Sequence, residues 1–268
     1  MNNWWNQLGK DSHGSRPRCI LMMDGEASVV AERLTNLVGL PGVKVRSSDK
    51  WMPFGKPELR ADGTWNKEPA REAKLGNPNR ILGSEIQTTL VNWWLEVLEN
   101  ANTPNWDIAS SCEINGQEGY LLIEAKAHHN ELKNDSCGAS NPSNRKRIQE
   151  CIAEASQELS QATQLEWNLS RDTYYQMSNR FAWSWKLTQL GFPVVLVYLG
   201  FTNAAEMPRP LIESDSDWSA KLQERTQNIV PKEIWGREIP LGGASLTPLI
   251  RVFDQPFTEY EDRGRHEN

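Results

Sequence analysis

The chain has 268 residues, of which 38% are hydrophobic and 24% charged, and its formal net charge is −6. This length suffices for one sizeable core, and the composition is typical of a soluble globular protein. The negative charge argues against a protein coated in basic surface, but it leaves a local nucleic-acid site open. No apolar run approaches the roughly 20 residues that span a bilayer, and the N-terminus lacks a secretory pattern. We therefore expect a cytoplasmic protein without a membrane partner.

Cysteine usage and charge distribution bound the organisation of the chain. The four cysteines are scattered and form no CxxC pair, which favours reduced thiols over a zinc ribbon or a disulfide framework. Five acids and two arginines in the last fifteen residues give that segment a charge of −3. We expect a single domain over residues 1–268. Its predicted parts are an N-terminal extension with a strand and a helix (1–80), a core (about 81–201), C-terminal accessory elements (202–253) and a flexible acidic tail (254–268).

The first hundred residues combine apolar segments with an irregular stretch. Residues 18–24 predict a short buried strand, and residues 26–38 predict a helix after it. Residues 41–80 are rich in proline, glycine and mixed charge, which predicts an irregular excursion with short strands. Residues 82–99 predict a long helix, because apolar side chains recur there at spacings of three and four.

A hairpin is predicted in the middle of the chain. Residues 105–112 and 119–127 predict two strands, and Asn115-Gly116 between them is a strong hairpin turn signal. The two strands should therefore pair antiparallel. Residues 128–144 are polar and predict a loop.

The second half alternates helices with an apolar strand. Periodicity predicts helices over 148–165 and 174–190, and the continuous apolar run 194–201 is typical of a strand buried on both faces. A helical connection between two strands of one sheet indicates a right-handed crossover. A further helix near 218–227 and one or two short strands complete an α/β chain with a mixed sheet.

The strand at 119–127 ends on two charged side chains that share one face. Side chains alternate along a strand, so Glu124 and Lys126 lie together. Burying them without partners is costly, and a divalent metal between Glu124 and Asp107 on the neighbouring strand would supply one. Phosphodiester hydrolysis needs such a metal, an aimed water and a positive group that balances the developing charge.

Asp107 followed by Ile-Glu-Ala-Lys at 123–126 resembles the signature of the PD-(D/E)xK nuclease superfamily. The resemblance implies an α/β fold with a restriction-endonuclease-like mixed β-sheet flanked by helices. It also implies that Asp107 and Glu124 bind Mg²⁺, with Mn²⁺ as a substitute and the backbone carbonyl of Ala125 as a further ligand. Lys126 would contact the attacking water or the phosphate. A structural ion pair of Glu124 with Lys126 is the plain alternative.

The resemblance covers roughly residues 81–200, and it extends to the helix before the hairpin. Glu85 matches an additional metal neighbour there, although an acid at a helix N-terminus is also explained by the helix dipole. The family usually places another strand between this helix and the aspartate strand, and only about seven residues are available here. Residues 18–24 would fill that role, or the helix ends earlier. The proline usual before the aspartate is also displaced, to Pro104.

Six further side chains are candidates for binding the substrate. One continues the alternation of the charged strand, three basic residues open the second long helix, and two lie one turn apart on the third. A solvated strand end and a solvated helix end are the alternatives for the first four. The candidates are His128, Arg145, Lys146, Arg147, Gln176 and Arg180.

These residues predict a metal-dependent phosphodiesterase, and we expect its substrate to be DNA rather than RNA. A catalytically inactive nuclease-fold scaffold or nucleic-acid-binding protein is the first alternative. A metal-dependent enzyme acting on another phosphoester, such as a nucleotide, is the second.

Overall fold

The computed structural model describes residues 3–257, which form six α-helices, eleven strands and four short 3-10 segments. The helices are α1 (Ser15–Met22), α2 (Ala27–Val38), α3 (Ser84–Trp94), α4 (Pro142–Thr163), α5 (Tyr175–Gln189) and α6 (Asp215–Thr226). The strands are β1 (Val43–Lys44), β2 (Trp51–Met52), β3 (Glu58–Leu59), β4 (Trp65–Asn66), β5 (Ala73–Lys74), β6 (Asn105–Trp106), β7 (Ile108–Ile114), β8 (Gln117–Lys126), β9 (Val194–Thr202), β10 (Ile239–Leu241) and β11 (Ala244–Asp254). The 3-10 segments are Trp4–Asp11, Glu68–Ala70, His129–Glu131 and Lys232–Ile234.

Seven strands form one mixed sheet in the order β1-β7-β8-β9-β11-β10, and β2 also pairs with β7. Strands β7 and β8 are antiparallel, whereas β8, β9 and β11 are parallel to one another. Two small ribbons, β3–β4 and β5–β6, lie outside this sheet. The predicted α/β class with a mixed sheet and flanking helices is therefore confirmed.

The sheet separates two apolar cores. Helices α1 and α2 pack on one face, against side chains such as Leu121 and Ile123 of β8. Helices α3 to α6 pack on the other face, against Tyr120 and Leu122. Burial on both faces explains why β8 and β9 read as nearly continuous apolar runs.

The predicted hairpin and crossover are both present. Asn115 and Gly116 have φ values of 50° and 82°, the backbone conformation that a two-residue turn between antiparallel strands requires. Helices α4 and α5 connect β8 to β9, and the two strands then pair in parallel from Tyr120 opposite Val194. A parallel pair needs such a long connection.

Residues 18–24 are not a strand, and that prediction was wrong. Most of this segment belongs to α1, which begins after Gly14 and carries Pro17 in its first turn. Its residues are buried on several sides, including Arg18 and Ile20. A short apolar run buried all round has no helical periodicity, so a pattern cannot distinguish it from a buried strand.

Two short strands from the irregular excursion, which precede helix α3 in the chain, lie beside β7. Val43–Lys44 and Trp51–Met52 both pair antiparallel with β7. Helix α3 also ends five residues earlier than predicted, at Trp94. The chain after it is held extended because Asn144 of α4 accepts the backbone N–H groups of Glu96 and Val97.

The sheet extends beyond the predicted core on both sides. One of the expected short C-terminal strands, β11, spans eleven residues and pairs with β9 over nine positions. The sequence did not reveal the full length of β11, because Pro248 lies within it and proline normally interrupts a strand pattern. Pro248 lies beyond the three residues paired with β10, where β11 has a strand partner only on its β9 side. The acidic tail falls largely at 258–268, outside the described residues.

Candidate active site

Strand β8 delivers two charged side chains into the core beneath α5. Glu124 and Lys126 are only 1% and 6% exposed, and Ala125 between them faces the opposite core. The strand can carry these charges because its other residues from Gly119 onward are buried and hold it in the centre of the sheet. The predicted alternation is therefore present.

Helix α5 supplies the partners of these charges. Lys126 Nζ donates to Oε1 of Glu124 and, over 2.9 Å, to Oε1 of Gln176. Arg180 Nε donates to the second oxygen of Glu124 over 2.7 Å. Gln176 and Arg180 lie one helical turn apart, so both reach the same strand. We call Asp107, Glu124, Lys126, Gln176 and Arg180 the carboxylate cluster.

Arg180 is fixed from three sides. It is 5% exposed, donates through Nη1 to Oδ1 of Asn179 over 2.6 Å, and lies 4.8 Å from the centre of the Trp106 ring. A guanidinium held by a carboxylate, an amide and an aromatic face has little freedom to move. The bond between Arg180 and Glu124 is therefore a preorganised part of the cluster.

Asp107 enters the cluster from a bend between β6 and β7. The backbone N–H of Ala125 donates to its Oδ2 over 2.8 Å. Ile108 opposite Ile123 is the last pair of β7 with β8, so Asp107 lies just beyond this pairing, where the charges of Glu124 and Lys126 both act on it. The N–H and C=O of a strand residue point to the same side, so the Ala125 carbonyl also faces Asp107.

Burial and charge set the protonation of the cluster. Burial raises the pKa of Asp107 to about 7, and the charge of Glu124 acts in the same direction. Burial also opposes ionisation of Glu124, but Arg180 and Lys126 outweigh it and hold the pKa of Glu124 below its ordinary value. The pKa of Lys126 is raised, because Glu124 and Asp107 outweigh the effect of burial. The cluster thus holds one ionised acid, two cations and one acid that titrates near neutrality.

The number and kind of oxygen donors in the cluster suit a hydrated Mg²⁺. The hydrogen bonds that Glu124 now makes do not leave its oxygens free to bind the ion. Two carboxylates and the Ala125 carbonyl suit an ion that keeps several waters. Within residues 3–257, however, no group of three or more His, Cys, Asp or Glu side chains is placed to hold a metal. Both oxygens of Glu124 are bonded to cations, so Glu124 would have to release Lys126 or Arg180 to bind an ion.

Four of the predicted residues lie away from the cluster. Glu85 is exposed in the first turn of α3, and its side chain makes no described bond to the cluster. Arg145 and Lys146 are exposed on α4, and Lys146 lies 3.8 Å from Glu150. Arg147 donates to the carbonyl of Trp93 over 2.8 Å. These four residues fit the plain alternatives. Glu85 is an acid at the start of a helix, Arg145 and Lys146 belong to a solvated helix end, and Arg147 caps the end of the neighbouring helix α3.

His128 lies just beyond the cluster, in a buried turn. It is 8% exposed, and its Nε2 is 3.5 Å from Oε1 of Glu131. The same Glu131 oxygen accepts the backbone N–H of Ala127. An isolated bridge to Leu211 covers His128 from the other side. His128 therefore shapes the chain after Lys126 rather than facing solvent.

The sequence did not single out three residues that complete the site. Asn179 and Trp106 fix Arg180, and Tyr198 pairs in register with Glu124 across β8 and β9. The Tyr198 hydroxyl is buried and has no hydrogen-bond partner in residues 3–257. Trp106 could have been found as the neighbour of Asp107. Asn179 and Tyr198 depend on how α5 and β9 lie against β8, which no local pattern records.

No protein-family model, no curated protein and no solved structure matches the chain. Between residues 3 and 257, no helix is both long enough and apolar enough to cross a membrane.

Proposed function

We propose that this chain is a metal-dependent phosphodiesterase that cleaves the backbone of DNA. One observation carries the proposal: an E-x-K strand buries Glu124 and Lys126 beside Asp107, whose carboxylate is tied to the backbone between them. Asp107, Glu124 and the Ala125 carbonyl would hold Mg²⁺ or Mn²⁺. The ion would bind a phosphate oxygen and lower the pKa of a bound water.

The side chains around this position have separate tasks. Ionised Asp107 and Glu124 supply negative charge, and Arg180 keeps Glu124 oriented and ionised. Lys126 is held by Gln176, so it can exchange its bond to Glu124 for one to a water or a phosphate oxygen. A protonated lysine in a water-poor site stabilises developing negative charge strongly.

A purely structural role explains the cluster poorly. Removing two ions from water is expensive, and apolar residues of similar volume often stabilise a core as well or better. Strongly perturbed acids beside a fixed cation are frequent at functional sites. The pKa of Asp107, raised by burial to about 7, allows that acid to change charge near neutral pH.

The order of elements supports the same proposal. Asp107 directly precedes strand β7, and the E-x-K strand, two helices and a parallel strand then follow as β8, α4, α5 and β9. This order agrees with a restriction-endonuclease-like sheet, and β1 and β2 supply the additional pairing on β7. We place the activity in the cytoplasm, where the four cysteines, all buried and unpaired, would remain reduced.

Basic side chains near Asp107 suit a polyanionic substrate. A cleft of about 310 Å³ is lined by Arg71, Lys74 and Arg80 together with two acids. One of these acids, Glu72, accepts from the side chain of Asn105 over 2.9 Å, two residues before Asp107, so the cleft lies near the cluster. These cations replace Arg145–Arg147 as candidates for contact with the phosphate backbone.

The decisive experiment is cleavage of plasmid and single-stranded DNA with Mg²⁺ and with Mn²⁺. Lys126→Ala should lower the cleavage rate a few hundredfold, because Lys126 acts mainly in the transition state. Its affinity for Mn²⁺, measured by calorimetry, should change little, since a protonated lysine is not a metal ligand. Lys146→Ala, an exposed lysine outside the cluster, is the matched control and should cleave at the parental rate. Equal rates for Lys126→Ala and the parent would refute the assignment.

An inactive nuclease-fold scaffold is the second candidate, and one observation favours it. Both oxygens of Glu124 are already bonded to Lys126 and Arg180, which closes the ion network without a metal. This candidate predicts no cleavage by the parent and no Mn²⁺ binding in the same experiment.

A further inference from the structure

A second recess adjoins the carboxylate cluster on the far side of Asn179. It has a volume of about 610 Å³ and lies between residues 95–104, residues 137–141 and the first turns of α4 and α5. Asn179 lines this recess and also bonds to Arg180, which holds Glu124. We call it the amide cleft. Only the Asn179 side chain would separate a group bound there from Arg180 of the cluster.

The lining of the amide cleft is polar but almost uncharged. Five of its residues are asparagines, others carry hydroxyl groups, and the only formal charge is that of Glu99. A phosphate would find no cation there. A flat, neutral group with several hydrogen-bonding atoms is the kind of ligand that such a surface recognises.

Asn179 presents a donor to the cleft. Its side chain is 4% exposed, and its Oδ1 faces Arg180 because a guanidinium can only donate. The Nδ2 amide is therefore turned the other way. In the described part of the chain it makes no hydrogen bond, whereas the Asn144 amide is used fully to hold the backbone of residues 96 and 97. The Nδ2 group of Asn179 is thus available to a ligand, whereas Asn144 only lines the cleft.

Tyr175 adds a flat apolar surface to the same cleft. It lines the recess at the start of α5 and retains partial exposure. Aromatic side chains bind bases by stacking, and an amide beside the ring reads a base edge.

We propose that the amide cleft binds an unpaired nucleobase of the substrate, with Asn179 Nδ2 donating to a carbonyl oxygen or ring nitrogen of the base. This inference rests on the proposed nuclease function and specifies its substrate: DNA with an unstacked base beside the phosphate that the cluster holds. A duplex hides the Watson–Crick edge of each base by pairing and its ring face by stacking, so a base can meet both Asn179 and Tyr175 only when it is unpaired, and single-stranded DNA is the preferred form.

Binding without cleavage tests this inference on the full chain. Fluorescence anisotropy in EDTA would compare a single-stranded oligonucleotide, its duplex and an abasic strand of equal length. The parent should bind the single strand at least about tenfold more tightly than the other two, since stacking and a base contact are both lost in them. Equal affinity for the normal and abasic strands would overturn the inference, and this comparison needs no variant.

Asn179→Asp sharpens the test because it keeps an oxygen for Arg180, replaces the donor amide by an acceptor and adds one negative charge. The added charge acts on the phosphates of both strands alike, so the lost donor is read from the ratio of single-strand to abasic affinity, which should fall about five- to tenfold. Asn168→Ala, outside the cleft, is the control and should bind as the parent does. An unchanged ratio in Asn179→Asp would also contradict the inference. Cleavage without base-dependent binding would refute the cleft alone, and base-dependent binding without cleavage would refute the nuclease alone.

Discussion

The two faces of β8 are equally buried, but at the end of the strand they differ completely in chemistry. On one face Ile123 and Ala125 are 0% and 1% exposed and pack with α1 and α2. On the other face Glu124 and Lys126 are 1% and 6% exposed and bond to α5. The same backbone therefore supports an apolar core on one side and an ion network on the other.

This difference shows which part of the strand needs an explanation beyond folding. The apolar face is accounted for by burial alone. The charged face is costly, and it is confined to the end of β8 where β7 has stopped pairing and Asp107 bends across. Function is the simplest reason for keeping charges there, and three perturbations of the two faces test that view.

The largest expected effect on stability comes from Glu124→Gln. Neutralising this acid leaves Lys126 and Arg180 buried without a counter-charge, which should cost about 3–5 kcal/mol of unfolding free energy. Ile123→Val on the opposite face is the control and should cost about 0.5–1.5 kcal/mol. Urea unfolding of both variants makes the comparison. If Glu124→Gln costs no more than Ile123→Val, the ion network is not what holds α5 to β8.

Asp107 gives a pH-dependent effect of intermediate size. Its folded pKa of about 7 lies above the ordinary value of 3.8, because burial and Glu124 disfavour the ionised form. The folded state therefore holds its proton more tightly than the unfolded chain, and stability falls as pH rises from about 4 to about 7. Asp107→Asn keeps an oxygen for the Ala125 N–H and should unfold with about 1–3 kcal/mol more free energy than the parent at pH 8, but not at pH 4.

Adding a divalent metal shows whether Asp107 is a metal ligand or only a buried acid. If Asp107 holds Mg²⁺, adding the ion at pH 8 should raise the melting temperature of the parent and leave that of Asp107→Asn unchanged. Cleavage by the parent should increase with pH through about 7, as Asp107 loses its proton. A parent that melts at the same temperature with and without the ion would contradict a metal role for this acid.

The parts of the fold that have a strong local period were predictable, and the long-range pairings were not. Helix α2, the hairpin at Asn115-Gly116 and strand β9 followed from periodicity and turn chemistry. Helix α1 was wrongly predicted as a strand, because a short apolar run buried on several sides has no informative period. Strands β1 and β2 have two residues each and exist only through pairing with β7.

The site divides in the same way. Alternation placed Glu124 and Lys126 together, and a spacing of one helical turn placed Gln176 and Arg180 on one side of α5. The sequence could not show that Lys126 and Arg180 would both bond to Glu124. The resemblance implied a metal neighbour at Glu85, with a helix-start acid as the alternative, and the structure leaves Glu85 exposed at the start of α3. Tertiary geometry decides these contacts.

The smallest effect on stability is expected from Tyr198→Phe, and like that of Asp107→Asn at pH 8 it should be an increase. Tyr198 is 2% exposed, and its hydroxyl finds no partner among residues 3–257. Burial raises the pKa of this phenol well above its ordinary value, and Glu124 adds to the effect, so the hydroxyl stays protonated. A buried donor without a partner destabilises the folded state, and removing it should raise stability by about 1 kcal/mol, or about 2–4 °C in melting temperature.

The control for this change is the neighbouring apolar position. Val197→Ala removes buried carbon on the opposite face and should lower the melting temperature instead. A lower melting temperature for Tyr198→Phe would mean that the hydroxyl has a partner and belongs to the structural network of β8 and β9. A higher melting temperature together with slower cleavage in Tyr198→Phe would mean that the Tyr198 hydroxyl is needed for activity and not for folding. That combination is expected if the contents of this face serve the substrate, since unsatisfied buried groups are retained where they have a partner only during function.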